Sequence, residues 1–196
     1  GNPDLKWEVR KSLNIGLDFS LWSDRISGMI DVFSDETSDM LFLYNIPQPP
    51  FVTNQAYANA ATATNKGVEL SLGGDVIAKD LFHWNARVNI GAVRNRITNL
   101  IGQFKGFDLS VTNSHYGYAQ GGSFQYVPIT ELKEGYPAGV FWLPQHAGFD
   151  MNRNELFVTY DNEGKASGTN TTFTDKDRQY IDPTPDFEWG FTNTLS

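Results

Sequence analysis

The 196-residue sequence contains no cysteine, so neither disulfides nor cysteine-ligated metals can hold it together. It has no apolar run approaching the ~18 residues of a membrane helix, and its alternating segments show no 3.6-residue helical stripe. Lys and Arg number 15 against 23 Asp and Glu, a formal charge of −8. No basic cluster stands out, and neutralising phosphates takes grouped cations, so nucleic acid is not an expected partner. His83, His115 and His146 are too widely spaced for a metal-ligand motif. Residues 121–125 (GGSFQ) lack the closing Gly of a nucleophile elbow. Residues 163–169 (EGKASGT) lack the Gly spacing of a phosphate loop. The expectation is a protein without catalytic residues, metal or cofactor. One membrane class survives these exclusions, because the strands of a β-barrel alternate and leave no hydropathy peak.

What the sequence does have is alternation. In SLNIGLDFSL, residues 12–21, every second position is apolar (Leu13, Ile15, Leu17, Phe19, Leu21) and the rest are small or polar. Such a strand has one oily and one wet side. The short polar break Trp22–Arg25 reads as a tight turn, and Ile26, Gly28, Ile30 and Val32 resume the pattern with Met29 and Phe33 as exceptions. Alternation returns at Val68, Leu70 and Leu72, at Trp84, Ala86, Val88 and Ile90, and at Phe187, Trp189, Phe191 and Leu195. These patterns predict an all-β chain of about five antiparallel strands, at residues 7–21, 26–34, 66–77, 83–96 and 186–196. Two long loops separate them, residues 35–65, with the strand-breaking IPQPP, and residues 98–182. No linker divides the chain into self-contained domains.

The oily side could meet a second sheet or lipid. Ten clean positions in the first strand exceed the usual five or six of globular sheets and match the nine to eleven of a transmembrane strand. Connections run short, long, short, long, as in barrels with tight periplasmic turns and long outer loops. Trp22 and Trp84 fall at the short-turn ends, and Trp7 and Trp189 toward the other, as two interfacial girdles would. Together these favour part of a large transmembrane β-barrel, since five strands cannot close one and the alternation is still running at the last residue. The other reading is a soluble β-sandwich, a carbohydrate-binding module with aromatic loops.

Six segments in order resemble the SusC/RagA-type TonB-linked outer-membrane proteins: NPDLKWE (Asn2–Glu8), NIGLDF (Asn14–Phe19), DRISGMIDVF (Asp24–Phe33), NKGVELSL (Asn65–Leu72), EGYPAGVFW (Glu134–Trp142) and DRQYIDPTPDFEWGFTNTLS (Asp177–Ser196). Asp182 stands where the family commonly has Gly. The resemblance implies a Gram-negative outer-membrane location and a plugged, 22-stranded-class barrel. It also implies active import of glycans or peptides powered by the TonB complex, and a SusD-like surface lipoprotein as partner. The wall would then face the lipid bilayer, with loops 35–65 and 98–182 outside the cell.

The long loop concentrates aromatic and amide side chains, which grip sugar rings or peptides through apolar faces and directional hydrogen bonds. Tyr116, Tyr118, Phe124, Tyr126, Phe141 and Trp142 are the candidate contacts for an oligosaccharide or peptide cargo. The same residues could instead pack the loop's own core or meet the lipoprotein. Residues 161–165 (DNEGK) and 174–179 (TDKDRQ) have alternating oxygen ligands that suit calcium but lack the full loop register, so solvated turns are expected.

Overall fold

A computed structural model describes residues 2–110, 115–120 and 126–196. Its strands are β1 (Val9–Leu21), β2 (Ile26–Asn45), β3 (Gln55–Lys79), β4 (Phe82–Asn99), β5 (Ile101–Phe104), β6 (Phe107–Ser110), β7 (His115–Tyr118), β8 (Pro128–Glu131), β9 (Val140–Pro144), β10 (His146–Phe149), β11 (Glu155–Tyr160), β12 (Ala166–Asn170), β13 (Arg178–Ile181) and β14 (Glu188–Leu195). The strand pairings are antiparallel, as the alternation predicts, and no α-helix occurs among the described residues. The chain divides into two compact units, residues 1–111 with 184–196, and residues 112–183.

The first unit is built on a five-stranded sheet in the order β1-β2-β3-β4-β14. β1 and β2 pair without interruption from Leu21↔Ile26 to Val9↔Ser38. The turn between them holds Trp22, Ser23 and Asp24 at positive φ (53°, 54° and 66°), which lets two strands of right-handed twist meet in so short a link. Only Asp80 and Leu81 separate β3 from β4, as Lys79 pairs with Phe82. Each edge strand, β1 and β14, has a single neighbour, so the sheet is open on both sides.

Residues 35–65, expected as a loop, are mostly strand. β2 runs on to Asn45 and β3 starts at Gln55, and the prolines sit in the connection, which Ile46 N–H closes onto the Asn54 carbonyl at 2.9 Å. Two physical features hid these strands. Register shifts around Met40, beside Asp39 at φ 55°, break the two-residue period. The Ala-rich run of β3 is small because β5 and β6 lie against it. Tyr44, Ala58, Ala60, Phe104 and Leu109 form a buried cluster there, and a side chain on Gly102 would collide with Ala60.

The motif Asn2–Glu8 straps this region. Asn59 accepts from Lys6 N–H at 2.9 Å and donates to the carbonyls of Lys6 at 2.9 Å and Asp39 at 2.6 Å, while Glu8 accepts from Leu41 N–H at 2.9 Å. Residues 7 and 8 are therefore strap, and β1 begins at Val9. β4 runs three residues beyond the expected 96, to Asn99.

The second unit, expected as part of the loop 98–182, holds a four-stranded sheet ordered β13-β9-β8-β7 and a three-stranded sheet ordered β10-β11-β12. Val140 and Phe157 are buried, with Phe157 edge-on to Phe173 at 5.0 Å between ring centroids. The turns on either side of β11 use one device. The Asp150 carboxylate accepts from the backbone N–H of Asn152 and Asn154, both at 2.8 Å. Asp161 does the same for Glu163 and Lys165, both at 2.9 Å. An Asp side chain bonding backbone two and four residues on fixes a turn locally, so the DNEGK carboxylate of Asp161 serves its own backbone.

Candidate functional site

The register of the large sheet sorts its side chains onto two faces, because residues directly opposite one another point the same way. One face carries Ile15, Val32, Val68 and Ala92 in one row, then Leu17, Ile30, Leu70, Ile90 and Trp189, then Phe19, Gly28, Leu72, Val88 and Phe191. Leu13, Ile15 and Leu17 are 61%, 65% and 61% exposed, so among the described residues of this unit no second layer packs on β1, as a sandwich would require. The apolar positions of β1 from Leu13 to Leu21 span about 27 Å of strand at ~3.4 Å per residue. At a barrel tilt of about 45° that covers about 20 Å, close to the ~25 Å apolar band of outer-membrane barrels.

The other face is polar. Its rows include Gly16, Asp31, Glu69, Gly91 and Glu188, and Asp18, Met29, Ser71, Asn89 and Gly190. Directly opposed pairs are tied by side-chain hydrogen bonds: Asn65 with Asn95 at 2.6 Å, Ser71 with Asn89 at 2.8 Å, and Asp75 with Asn85 at 2.8 Å. Met29 and Phe33, which blurred the alternation of β2, belong to this face. The Phe33 ring lies over Gly67, where a Cβ would come within 2.5 Å of it, so an aromatic covers the backbone that glycine leaves bare.

At the short-turn end, Trp84 lies on the apolar face beside Leu195 and donates its indole N–H to Asn193 at 3.0 Å. An apolar body with a satisfied polar tip is the chemistry of a membrane interface. Trp189 does not mark the opposite end as the sequence predicts. It pairs with Ile90 in the middle of the apolar rows, because β14 enters the sheet opposite Gly91, well short of the end of β4.

The candidate cargo residues divide among three situations. Phe124 lies outside the described residues, and Tyr116 occupies a register position in β7 opposite Thr130, which in turn opposes Phe141. Tyr118 and Tyr126 are 53% and 74% exposed, and Tyr126 holds φ at 63°. Phe141 and Trp142, consecutive in β9, are half-buried on opposite faces. Trp142 is engaged within its own unit: the Arg178 guanidinium lies 4.2 Å from its ring centre, and Tyr180 stacks beside it at 6.4 Å and 17°.

Around Trp142 is a cluster whose Asp177, Arg178 and Tyr180 were not among the candidate contacts. The Tyr180 hydroxyl donates to Glu131 at 2.7 Å and accepts from Lys133 Nζ at 2.8 Å, while Tyr136 packs on its ring at 4.7 Å. Burial, reinforced by the neighbouring Glu131 carboxylate, pushes the Tyr180 phenol above its ordinary value. Arg178 is buried, donates to the Pro128 carbonyl at 3.0 Å, and is drawn below its ordinary value by that burial. Asp177 accepts from the Thr174 hydroxyl at 2.7 Å and from the backbone N–H groups of Thr174 and Tyr160 at 2.8 and 3.1 Å. The Thr174 hydroxyl bond, followed by those backbone donors, holds its carboxyl below the usual range. The sequence signal for Asp177, Arg178 and Tyr180 was the DRQYIDP segment.

Residues 1–195 match the family described as TonB dependent receptor-like, beta-barrel. The chain is 30% identical to TonB-dependent receptor P3 of Formosa agariphila over 99% of its own length and 19% of the relative's. It is 30% identical to TonB-dependent receptor SusC of Bacteroides thetaiotaomicron over 83% of its own length and 16% of that protein's. Solved structures of the RagAB peptide transporter, and of the RagAB peptide importer in its open-open state, superpose on all of the chain with TM-scores of 0.68 and 0.70 at 27% identity, the chain covering 20% of each. It thus spans about a fifth of the length of these relatives. With its lipid-sized apolar face backed by a polar one, the chain belongs to the TonB-dependent receptor-like β-barrel family of the outer membrane.

Proposed function

We propose that this chain is a wall segment, with surface excursions, of a TonB-dependent active importer that takes up glycans or peptides together with a SusD-like lipoprotein. The observation that carries this reading is the continuous apolar face, exposed from Leu13 to Phe191, with acidic and amide side chains on its reverse. In hydrocarbon an open sheet edge leaves backbone groups unsatisfied, so β1 and β14 continue into further strands of a barrel. Residues 112–183 then lie outside the cell, where cargo is captured. One solved relative is described as a peptide importer, which supports the peptide class. Import is a transport activity, and no catalysis is proposed.

Within the second unit, Tyr118 and Tyr126 are the candidate aromatics most open to a ligand. Tyr116, Phe124, Phe141 and Trp142 complete the proposed set, Trp142 also shaping the surface through Arg178 and Tyr180. The test uses the full-length protein in its native cell, with uptake of fluorescent oligosaccharide and peptide pools measured against a strain lacking TonB. Loss of uptake on deletion of the gene, matched by loss without TonB, is the expected result; unchanged uptake of every pool overturns the reading. Replacing Tyr118 and Tyr126 together by Ala is expected to lower uptake several-fold. Wild-type uptake in that double variant removes both from the site.

A further inference from the structure

Glycines of the large sheet lie under side chains of their neighbours. Asp31 covers Gly16, Phe19 covers Gly28, Phe33 covers Gly67 and Arg87 covers Gly73. In each case the cover is the residue directly opposite on the adjacent strand. Gly74, beside the β1–β2 turn, meets the Arg25 backbone instead. Gly91 and Gly190 are the exceptions, since a Cβ on either would find nothing within 4 Å. Gly91 has a carboxylate opposite it on each side, Glu69 on β3 and Glu188 on β14. Like charges repel across a sheet, and both side chains stand exposed, with no hydrogen bond or ion pair among the described residues. Gly190 has Asn89 opposite on β4, and that amide is tied to Ser71 at 2.8 Å. The other position opposite Gly190 falls beyond the free edge of β14. The two glycines floor one recess of about 500 Å³, walled by Glu69, Ser71, Asn89 and Glu188.

We propose that the strand pairing with the free edge of β14 places a basic side chain directly opposite Gly190. It lies across that glycine, with its cation held by Glu188 and facing Glu69 over the recess. Register supplies the position, because four glycines take their cover from the opposite residue. Charge supplies the residue type. An acidic cover, as at Gly16, would add a third carboxylate, and an aromatic one, as at Gly67, would leave both unneutralised. Arg87 over Gly73 shows the arrangement in this sheet, its Nε 3.0 Å from where a Cβ would stand. The apolar stem of such a side chain rests on bare backbone while its donors stay available. The neighbouring strand itself rests on the barrel reading, and a chain spanning about a fifth of its relatives' length leaves ample polypeptide to supply it.

The test uses the full-length protein, free of other cysteines, in outer-membrane vesicles. T192C is combined with single cysteines scanned along the strand beyond β14, and disulfide formation reports the register. The residue two places on from the fastest partner opposes Gly190, and Arg or Lys is expected there. Replacing it by Gln is expected to speed hydrogen exchange at Trp189 roughly tenfold, and to add little in an E69Q/E188Q background. An acidic, apolar or small residue at that place overturns the proposal. So does exchange that is unchanged by the replacement, or accelerated equally without the two carboxylates. A membrane-inserted protein in which T192C cross-links to no other strand leaves β14 an edge and refutes the barrel reading itself.

Discussion

The large sheet and the excursion of residues 112–183 use the same residue types in opposite ways. In the sheet, Leu13, Ile15 and Leu17 stand exposed on one face, and polar side chains of the other bond one another across the strands. In the excursion, Val140 and Phe157 are inside, and charged groups such as Asp177 and Arg178 are buried with partners. The difference teaches that the two regions are folded for different solvents. Hydrocarbon removes the penalty for exposed leucine and imposes one on unpaired backbone; water does the reverse.

Breaking the comparison begins with its buried side. Phe157→Ala in the full-length protein is expected to cost about 3–5 kcal/mol of local stability, the usual range for emptying an aromatic site in a core. Hydrogen exchange over β11 would register it, and unchanged protection would mean the excursion has no core of its own. On the sheet, Leu17→Arg is expected to cost about 2–4 kcal/mol, as a cation does at the lipid face near mid-bilayer. Asp18→Arg, one residue away on the polar face, is expected to cost far less. Urea unfolding of the barrel in lipid vesicles compares the two, and equal losses would erase the distinction between faces.

Asn59→Ala sharpens the comparison at the strap, where it removes bonds to Lys6 and Asp39 and leaves their backbone groups without partners. The expected cost is about 1–3 kcal/mol, seen as faster exchange at Lys6 with the apolar rows unaffected. The smallest effect is electrostatic. Asp177 has its carboxyl held below the free value of 3.8, so its contribution is fully present above that pH and is lost as pH falls through the lower folded value. Asp177→Asn is expected to flatten the acid-induced loss of exchange protection at Thr174 and Tyr160. An unaltered acid profile would show that this carboxylate does not set it.

The wall was legible wherever the two-residue period survives. From Leu13 to Leu21, Val68 to Leu72 and Trp84 to Ile90 each residue type announces its face, and the short turn at Trp22–Arg25 follows from the break after Leu21. Legibility failed in the upper parts of β2 and β3 because the shifts near Met40 scramble the period and the alanines are sized for β5 and β6. It failed again in the excursion, whose strands of four to six residues are too short for a period and are fixed by Asp150, Asp161 and Asp177 through side-chain bonds. Among the candidate aromatics, sequence marks Tyr118 and Trp142 alike. Only coordinates separate an exposed ring from one held under a guanidinium.

The central claim is that the apolar face of β1 meets lipid while its alternate residues meet water. Because this segment has no native cysteine, single Cys residues at positions 12–21 of the full-length protein can carry spin labels one at a time. In lipid vesicles, collision with oxygen is expected to peak at 13, 15, 17, 19 and 21, and collision with a water-soluble nickel reagent at 12, 14, 16, 18 and 20. Accessibility to the nickel reagent that is uniform along the strand, with no two-residue period, would contradict the account.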